Sequence, residues 1–342
     1  GGNPFFVEQL ALDLRERGLI EKMKDEDGRM MTGRSGAHSS FILHPASLGE
    51  EVPASITAVL IARLDRLPAP LKAVVQTAAV LGHEFDVQVL DRMLAGDTAV
   101  HAKVRGAEDE AIWSALSDTR YRFRHALLRD AAYEMQVRAR LRDLHARAGA
   151  AIEQTYGEVL APHISDLVYH YGQAGDAGRE RRYLALLGEQ AFNVSAFREA
   201  LACFARALDL ALGEADPAAP AQRARLIAQL ARTHLMLGDD DEAQRLYEEC
   251  LGLAEAAGDQ SSAAAACFEL GALAYRHAAF ADALAALHRS LALYRAAGDR
   301  AGEGRALNQL GGLYIELGDA DTALACYEQA LSLGRKHGAR VS

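Results

Sequence analysis

The sequence predicts a mainly α-helical chain in which a helical segment and a small domain precede a long superhelix of stacked helix pairs. Three observations predict the superhelix. Ala243, Ala283 and Ala323 stand 40 residues apart, with Ala200 a further 43 residues upstream. Each is accompanied by a second small residue seven positions on (Ala207, Cys250, Ser290, Ala330) and a third twelve positions back (Gly188, Ala231, Gly271, Gly311). Between these triplets the chain reads Leu-Gly-Asp at Leu237–Asp239 and Leu317–Asp319, and Gly-Asp at 258–259 and 298–299, with Gly338 at the matching end of the last unit.

Each feature has a physical cause. Antiparallel helices approach closely only where one of them lacks bulk, and larger residues then fill the space around the crossing. The bulky partners follow in register: Phe204, Tyr247, Leu287 and Tyr327 lie four residues after the central alanine, and Leu184, Ile227, Cys267 and Leu307 lie four before the first small residue. A glycine after the last helical turn accepts left-handed backbone, and the aspartate caps the next helix. From Tyr183 to Gly338 these offsets resemble the tetratricopeptide repeat. The period of 40 rather than the usual 34, and the missing proline at the end of the second helix, imply longer helices. A helix pair cannot bury both its faces, so the units are expected to stack, leaving a concave face for a protein or small ligand.

Composition excludes several classes. Of 342 residues 50% are hydrophobic and only 8 are proline, which suits a folded helical protein. A net charge of −10 argues against nucleic-acid binding by the whole chain. Cys203, Cys250, Cys267 and Cys326 fall inside repeat helices with no CxxC or Cys/His cluster, so reduced core thiols are expected rather than disulfides or metal ligands. No apolar run has spanning length, no membrane partner is expected, and the expected location is cytoplasmic. The chain opens Gly-Gly-Asn-Pro and no polar capping helix follows its last pair, so a piece of a longer protein is expected.

In chain order, Gly1 to Gly18 predicts one helix. Asn3 suits the N-cap, Pro4 the first helical position, and Phe6, Leu10 and Leu14 share a face. From Leu19 to Glu51 the periodicity is lost. Gly28, Gly33, Arg34 and Ser35 there spell GxxxxGRS, one letter from a phosphate loop. The match is rejected because no buried strand precedes it, no clear helix follows, and arginine replaces the lysine. Helices are expected at Ala54–Arg66, Ala69–Leu81 and Asp86–Leu94. Thr98 to Arg105 is ambiguous, and Ala111–Leu116 with Tyr121–Arg124 reads as a hairpin. Three helices followed by a hairpin is the order of a winged-helix domain. Helices near 125–135 and 137–156 lead into the array, which opens with His163–Ala174 and Ala177–Val194, and a loop at Pro217–Pro220 accounts for the 43-residue spacing. His163 and His170 share a face, yet no acid or cysteine completes a metal set, so they read as packing residues.

Three stretches carry a second resemblance: GGNPFFVEQL, then VPASITAVLIARLDRLPAPLKAVVQTAAVLGHEF, then RYRFRHALLRDAAYEMQ. Together they resemble the C-terminal part of the nucleotide module of STAND-type signalling ATPases, from Gly1 to about Tyr156. In that family a P-loop core is followed by a helical subdomain, a winged-helix domain and a superhelical repeat sensor. The resemblance implies that residues 1–52 end the ATPase module as a helical lid segment and loop, that 53–156 form a winged-helix-like domain with connecting helices, and that 157–342 form the repeat array of four to five helix pairs.

The resemblance also implies site residues. Gly2, Asn3 and Pro4 would bring a helix start against the adenine of bound ATP or ADP, with Pro4 as apolar contact. An ordinary Asn cap with proline in the first turn accounts for the same residues. His125 would sense the phosphates of bound ADP, with Arg120, Arg122, Arg124 and Arg129 around it. A histidine that caps or packs locally accounts for it too. DNA contact by the winged helix is disfavoured, because Glu108, Asp109 and Glu110 fall on the expected recognition helix.

The reading that follows is the regulatory part of an ATP-dependent switch, of the kind fused to adenylate or guanylate cyclases, with a pure interaction scaffold and the sensor of a helix-turn-helix transcription regulator as alternatives. The chain itself holds no P-loop lysine and no catalytic set, so it is not expected to be an enzyme alone, and ATP or ADP would need an upstream P-loop.

Overall fold

Apolar residues at helical spacing and a proline-punctuated break set the start of the first unit. Helix α1 (Ala54–Asp65) buries Leu60 and Leu64, one turn apart, and α2 (Ala69–Leu81) begins after Pro68 with Pro70 in its first turn. Every residue from Val74 to Val80 is buried, so the middle of α2 is enclosed on all sides. The computed structural model describes residues 54–157, 159–212 and 219–338, in two units divided in sequence between Thr155 and Tyr156. The expectations for Gly2, Asn3 and Pro4, for the lid segment 1–52, and for the GxxxxGRS stretch lie outside the described residues.

After α2 the order is strand, helix, helix, strand, strand: β1 (Glu84–Asp86), α3 (Val87–Met93), α4 (Val100–Asp109), β2 (Trp113–Ala115) and β3 (Arg120–Phe123). The expected hairpin is present as β2 and β3, and the ambiguous stretch after Thr98 is helical. The expected helix at Asp86 starts one residue later, with the Asp86 carboxylate accepting the amide of Gln88. What sequence reasoning missed is β1, which pairs antiparallel with β3 and completes a sheet of order β1-β3-β2. Three residues are too few to show an alternation.

The sheet carries an aromatic core. Trp113, the chain's single tryptophan, meets Phe85 edge-on at 5.0 Å and Phe123 at 5.4 Å, and its indole N–H donates to the carbonyl of Val104 at 2.9 Å. Helix α5 (Ala126–Glu134) closes over α2. The Arg129 guanidinium donates to the Ala79 carbonyl at 2.7 Å and the Gln136 amide to the Gln76 carbonyl at 2.9 Å. Helix α6 (Arg138–Tyr156) follows and buries His145, whose Nε2 lies 2.9 Å from the Tyr133 hydroxyl.

The second unit is an α-superhelix. A lead helix α7 (Ile164–Ala174) is followed by four pairs: α8 (Ala177–Asn193) with α9 (Phe197–Leu212), α10 (Ala219–Leu237) with α11 (Asp240–Ala256), α12 (Gln260–Arg276) with α13 (Phe280–Ala297), and α14 (Arg300–Glu316) with α15 (Ala320–Gly338). The small and bulky positions meet across the first, third and fourth pairs. A Cβ added at Gly188 would stand 2.6 Å from the Phe204 ring, one at Gly271 would stand 2.7 Å from Leu287, and one at Gly311 would stand 2.8 Å from Tyr327. These contacts are closer than any side chain tolerates.

The third small position does more than yield space. The Cys250 thiol donates to the Ala224 carbonyl at 3.2 Å and the Ser290 hydroxyl to the Ala264 carbonyl at 2.8 Å, in the same register of successive repeats. Burial pushes the Cys250 thiol up to about 11, as fits a structural thiol. All four cysteines are free.

The turn inside each pair has one geometry. Ser195, Gly238, Ala278 and Gly318 all adopt positive φ, at 61°, 85°, 57° and 80°. In each case the next amide reaches back five residues: Ala196 to Ala191, Asp239 to His234, Ala279 to Ala274 and Asp319 to Tyr314, at 2.9–3.0 Å. Between pairs, Asp176, Asp259 and Asp299 cap α8, α12 and α14 through their carboxylates, as the Gly-Asp dipeptides predict.

Candidate functional site

His125 stands at the junction of β3 and α5, half-buried, as the N-cap residue of that helix. Its carbonyl accepts the amides of Leu128 and Arg129, and its imidazole makes no capping hydrogen bond to α5. The arginines that surround it in sequence are bonded elsewhere. Arg120 and Arg122 lie 3.7 Å and 2.6 Å from the Glu84 carboxylate, and Arg129 bonds to the Ala79 carbonyl and to Asp130 at 3.1 Å, while Arg124 is exposed. Glu108, at the end of α4, accepts the Ala115 amide at 3.1 Å, which ties an acidic helix end to the hairpin.

His170 is buried beside Tyr169, and His163 sits at the preceding 3-10 turn with Asp166 3.4 Å from its Nδ1. No group of three or more His, Cys, Asp and Glu residues suited to a metal occurs among the described residues.

The second unit carries a concavity. It is a groove of about 840 Å³ lined mainly by α8, α10 and α12, the first helices of three successive pairs. Helical periodicity puts one stripe of each helix on this face. On α10 the stripe is Gln222, Arg225, Gln229 and Arg232, on α12 it is Ser262, Ala265, Ala266 and Glu269, and α8 adds Arg181, Arg182 and Glu189. Phe204 and Tyr247, the bulky residues that fill the glycine and alanine positions, reach through from α9 and α11 to form the floor.

The charges of the groove oppose those of the chain. Four arginines and two glutamates line it, a balance of +2 in a chain of −10. Arg182 and Arg225 occupy the same register, six residues before the small position of their helix. Arg305 occupies it on α14, and Ala265 replaces it on α12. Glu269 sits in the gap. Burial pushes its carboxyl above the usual range, while Arg305, Arg232 and Arg276 pull the other way. The Arg232 guanidinium stacks 4.0 Å over Phe192, Arg225 lies 4.0 Å from the capping Asp259, and the Gln229 amide donates to Glu189 at 3.4 Å. Burial also pushes the Tyr247 phenol well above its ordinary value, so it stays protonated. The groove thus offers fixed cations on two walls around a small apolar floor. Sequence reasoning named Phe204 and Tyr247 of its floor as packing residues but none of its charged residues, although the shared register of Arg182, Arg225 and Arg305 was available as a signal.

Comparison with known proteins agrees with the array. Residues 261–336 and residues 226–261 match two tetratricopeptide repeat families, so this part of the chain carries tetratricopeptide repeats. An uncharacterised protein of Rhizobium meliloti (strain 1021) is 24% identical over 264 residues, covering 74% of this chain, which spans 24% of that protein's length. Three solved structures are similar. A signal transduction ATPase with numerous domains and a tetratricopeptide repeat sensor, from Pyrococcus horikoshii, is 13% identical over 85% of this chain and 48% of that one, with a TM-score of 0.48. Aspartyl phosphate phosphatase F from Bacillus subtilis is 13% identical over 85% and 77%, with a TM-score of 0.48. BtubC from P. vanneervenii is 19% identical over 59% and 82%, with a TM-score of 0.47. No described helix is long and apolar enough to cross a membrane.

Proposed function

We propose that this chain is the regulatory portion of an ATP-dependent signal-transduction switch, in which the repeat array receives a protein or ligand and the first unit couples that event to nucleotide state. The observation that carries the reading is the element order of the first unit: helix, strand, helix, helix, strand, strand, with sheet order β1-β3-β2, followed in sequence by the repeats. That is the order of a winged-helix domain, and it coincides with the stretch that resembles the STAND-type ATPases. On this reading α4 takes the place of the recognition helix, and its acidic end argues against a role on DNA.

ATP or ADP would be held by a P-loop module outside this chain. His125, with exposed Arg124 beside it, would then meet the phosphates, and Gly2, Asn3 and Pro4 the base. Bound ADP holds the first unit closed on the nucleotide, and a ligand on the repeats together with ATP shifts the population to the open state. The wording IARLDRLP…AAVLGHEF looks more like the cyclase-linked subgroup, which favours an adenylate or guanylate cyclase as the output.

The test uses the longer protein that contains this chain. Purified from cells, it should carry ADP, and His125→Ala should release most of that ADP and raise output activity. An unchanged nucleotide content in the variant would sink the switch, leaving the repeats as an interaction scaffold.

A further inference from the structure

We infer that Tyr133 and His145 are positioning residues of the switch: their hydrogen bond fixes α6 on α5 and is the joint through which a change at His125 reaches the helix that leads into the repeats. This rests on the reading of His125 as the group that meets the nucleotide's phosphates, and it names the residues that carry that contact onward.

The joint is assembled on α5. His125, Arg129 and Tyr133 stand four residues apart, so they follow one face of the helix from its N-cap to its last turn. The Arg129 guanidinium is anchored on the Ala79 carbonyl at 2.7 Å and lies 5.0 Å from the centre of the Tyr133 ring. The Tyr133 hydroxyl meets His145 Nε2 at 2.9 Å, with the two rings edge to face at 5.8 Å. His145 is 1% exposed, and burial with the Arg129 charge keeps its imidazole neutral. In the Nδ1–H tautomer its Nε2 accepts from the Tyr133 hydroxyl. Two apolar side chains would pack these helices with less desolvation cost, whereas a buried hydrogen bond holds them at one angle.

Helix α6 carries the constraint away from α5. His145, Ala148 and Ile152 form a buried stripe on a helix that runs unbroken from Arg138 to Tyr156. Tyr156, the first residue of the second unit, stacks on the His163 ring at 3.6 Å, and His163 immediately precedes α7.

Gln136, in the turn between α5 and α6, marks this connection as one with two positions. Its amide nitrogen donates to the carbonyls of Gln76 at 2.9 Å and Ala132 at 3.3 Å, while its buried Oε1 finds no donor among the described residues. A buried acceptor without a partner is unfavourable, and a small rotation of the turn relieves it. The present arrangement is thus held against a cost, and the Tyr133–His145 bond is placed to hold it.

The test uses the longer protein that contains this chain, loaded with ADP or with ATP, and reads hydrogen exchange by mass spectrometry across α5, α6 and α7. In the unaltered protein, exchange in α6 and α7 should differ between the two nucleotides. Tyr133→Phe, which removes one hydroxyl and keeps the ring, should shrink that difference about tenfold while ADP content stays within about twofold and the melting temperature barely moves. His145→Leu should do the same, and the double variant should do no more than either alone. His145→Gln, whose side-chain oxygen accepts from the hydroxyl, should restore at least half of the difference. A merely structural contact would instead lower melting temperature and ADP content together and leave the nucleotide difference in place, and that outcome overturns the joint. So does an unaltered protein whose α7 exchanges alike with ADP and ATP. Failure of the underlying reading looks different: His125→Ala then leaves ADP content unchanged, and the joint falls with it. If His125→Ala releases ADP and Tyr133→Phe keeps the full nucleotide difference, the joint alone is wrong.

Discussion

The two units bury their apolar residues by opposite strategies. In the first, one aromatic cluster built from residues far apart in sequence, Phe85, Trp113 and Phe123, holds sheet to helices, and each member occurs once. In the second, a single lock of small residue against bulky residue is used at Gly188 and Phe204, Gly271 and Leu287, and Gly311 and Tyr327. The first unit therefore stands or falls as one body. The second should lose a lock at a time, because stability in stacked repeats is close to a sum of local and nearest-neighbour contributions.

Four changes would break or sharpen that contrast. The largest effect is expected at Trp113→Ala, which removes the centre of the aromatic cluster and the buried indole hydrogen bond to the Val104 carbonyl. It should cost about 3–5 kcal/mol and make the first unit sensitive to protease while fragments of the array persist, as mass spectrometry of the digest would show. If the array is digested at the same rate, the units do not unfold separately.

Gly271→Val drives a side chain into Leu287. It should cost about 2–3 kcal/mol, with loss of hydrogen-exchange protection centred on α12 and α13 and little change in α8 and α9. Uniform loss across all four pairs would refute the additive picture.

The third change is pH. Burial, with the nearby Arg129 charge, lowers His145 from its ordinary value of 6.5 to about 4. The unfolded chain therefore takes up the proton first. The stabilisation is complete above about 6.5 and is lost as pH falls from there towards 4. Between pH 7 and pH 5 the first unit should lose about 2 kcal/mol, and thermal melts of a His145→Gln variant should show a flatter pH dependence over that window. Identical slopes would exclude His145 as the cause.

The smallest effect is a gain. Ala278 holds a left-handed conformation with a side chain that disfavours it, so Ala278→Gly should stabilise the third pair by about 0.5–1 kcal/mol in urea titrations, whereas Gly318→Ala should do the reverse.

The array was the most legible part of the chain, because the constraint that builds it repeats. The glycine or alanine at each crossing and the Gly-Asp punctuation recur at fixed offsets, and noise does not recur. The hairpin of the first unit was legible because Ser117-Asp118-Thr119 separates its two short runs, Ala111–Leu116 and Tyr121–Arg124. Strand β1 was not, since Glu84-Phe85-Asp86 gains its strand character only from β3, 38 residues on in the Glu84–Arg122 register. The groove was hidden for a different reason. Gln229 and Glu269 share a register, 40 residues apart, yet differ in charge, so their shared place gives no sign of a common role. The arginines that share a register with like charge do leave a trace. The positions that build the array announce themselves, and the positions that give it a purpose do not.

The alternation of turn residues has a mechanical consequence. Pairs joined through Gly238 and Gly318 turn on relaxed backbone, while those joined through Ser195 and Ala278 turn on backbone held against its preference. Pulled from its ends, such an array resembles a chain with two grades of link, and the weaker links open at lower tension. Single-molecule stretching should then show two classes of unfolding force, and replacing Ser195 and Ala278 by glycine should merge them into one.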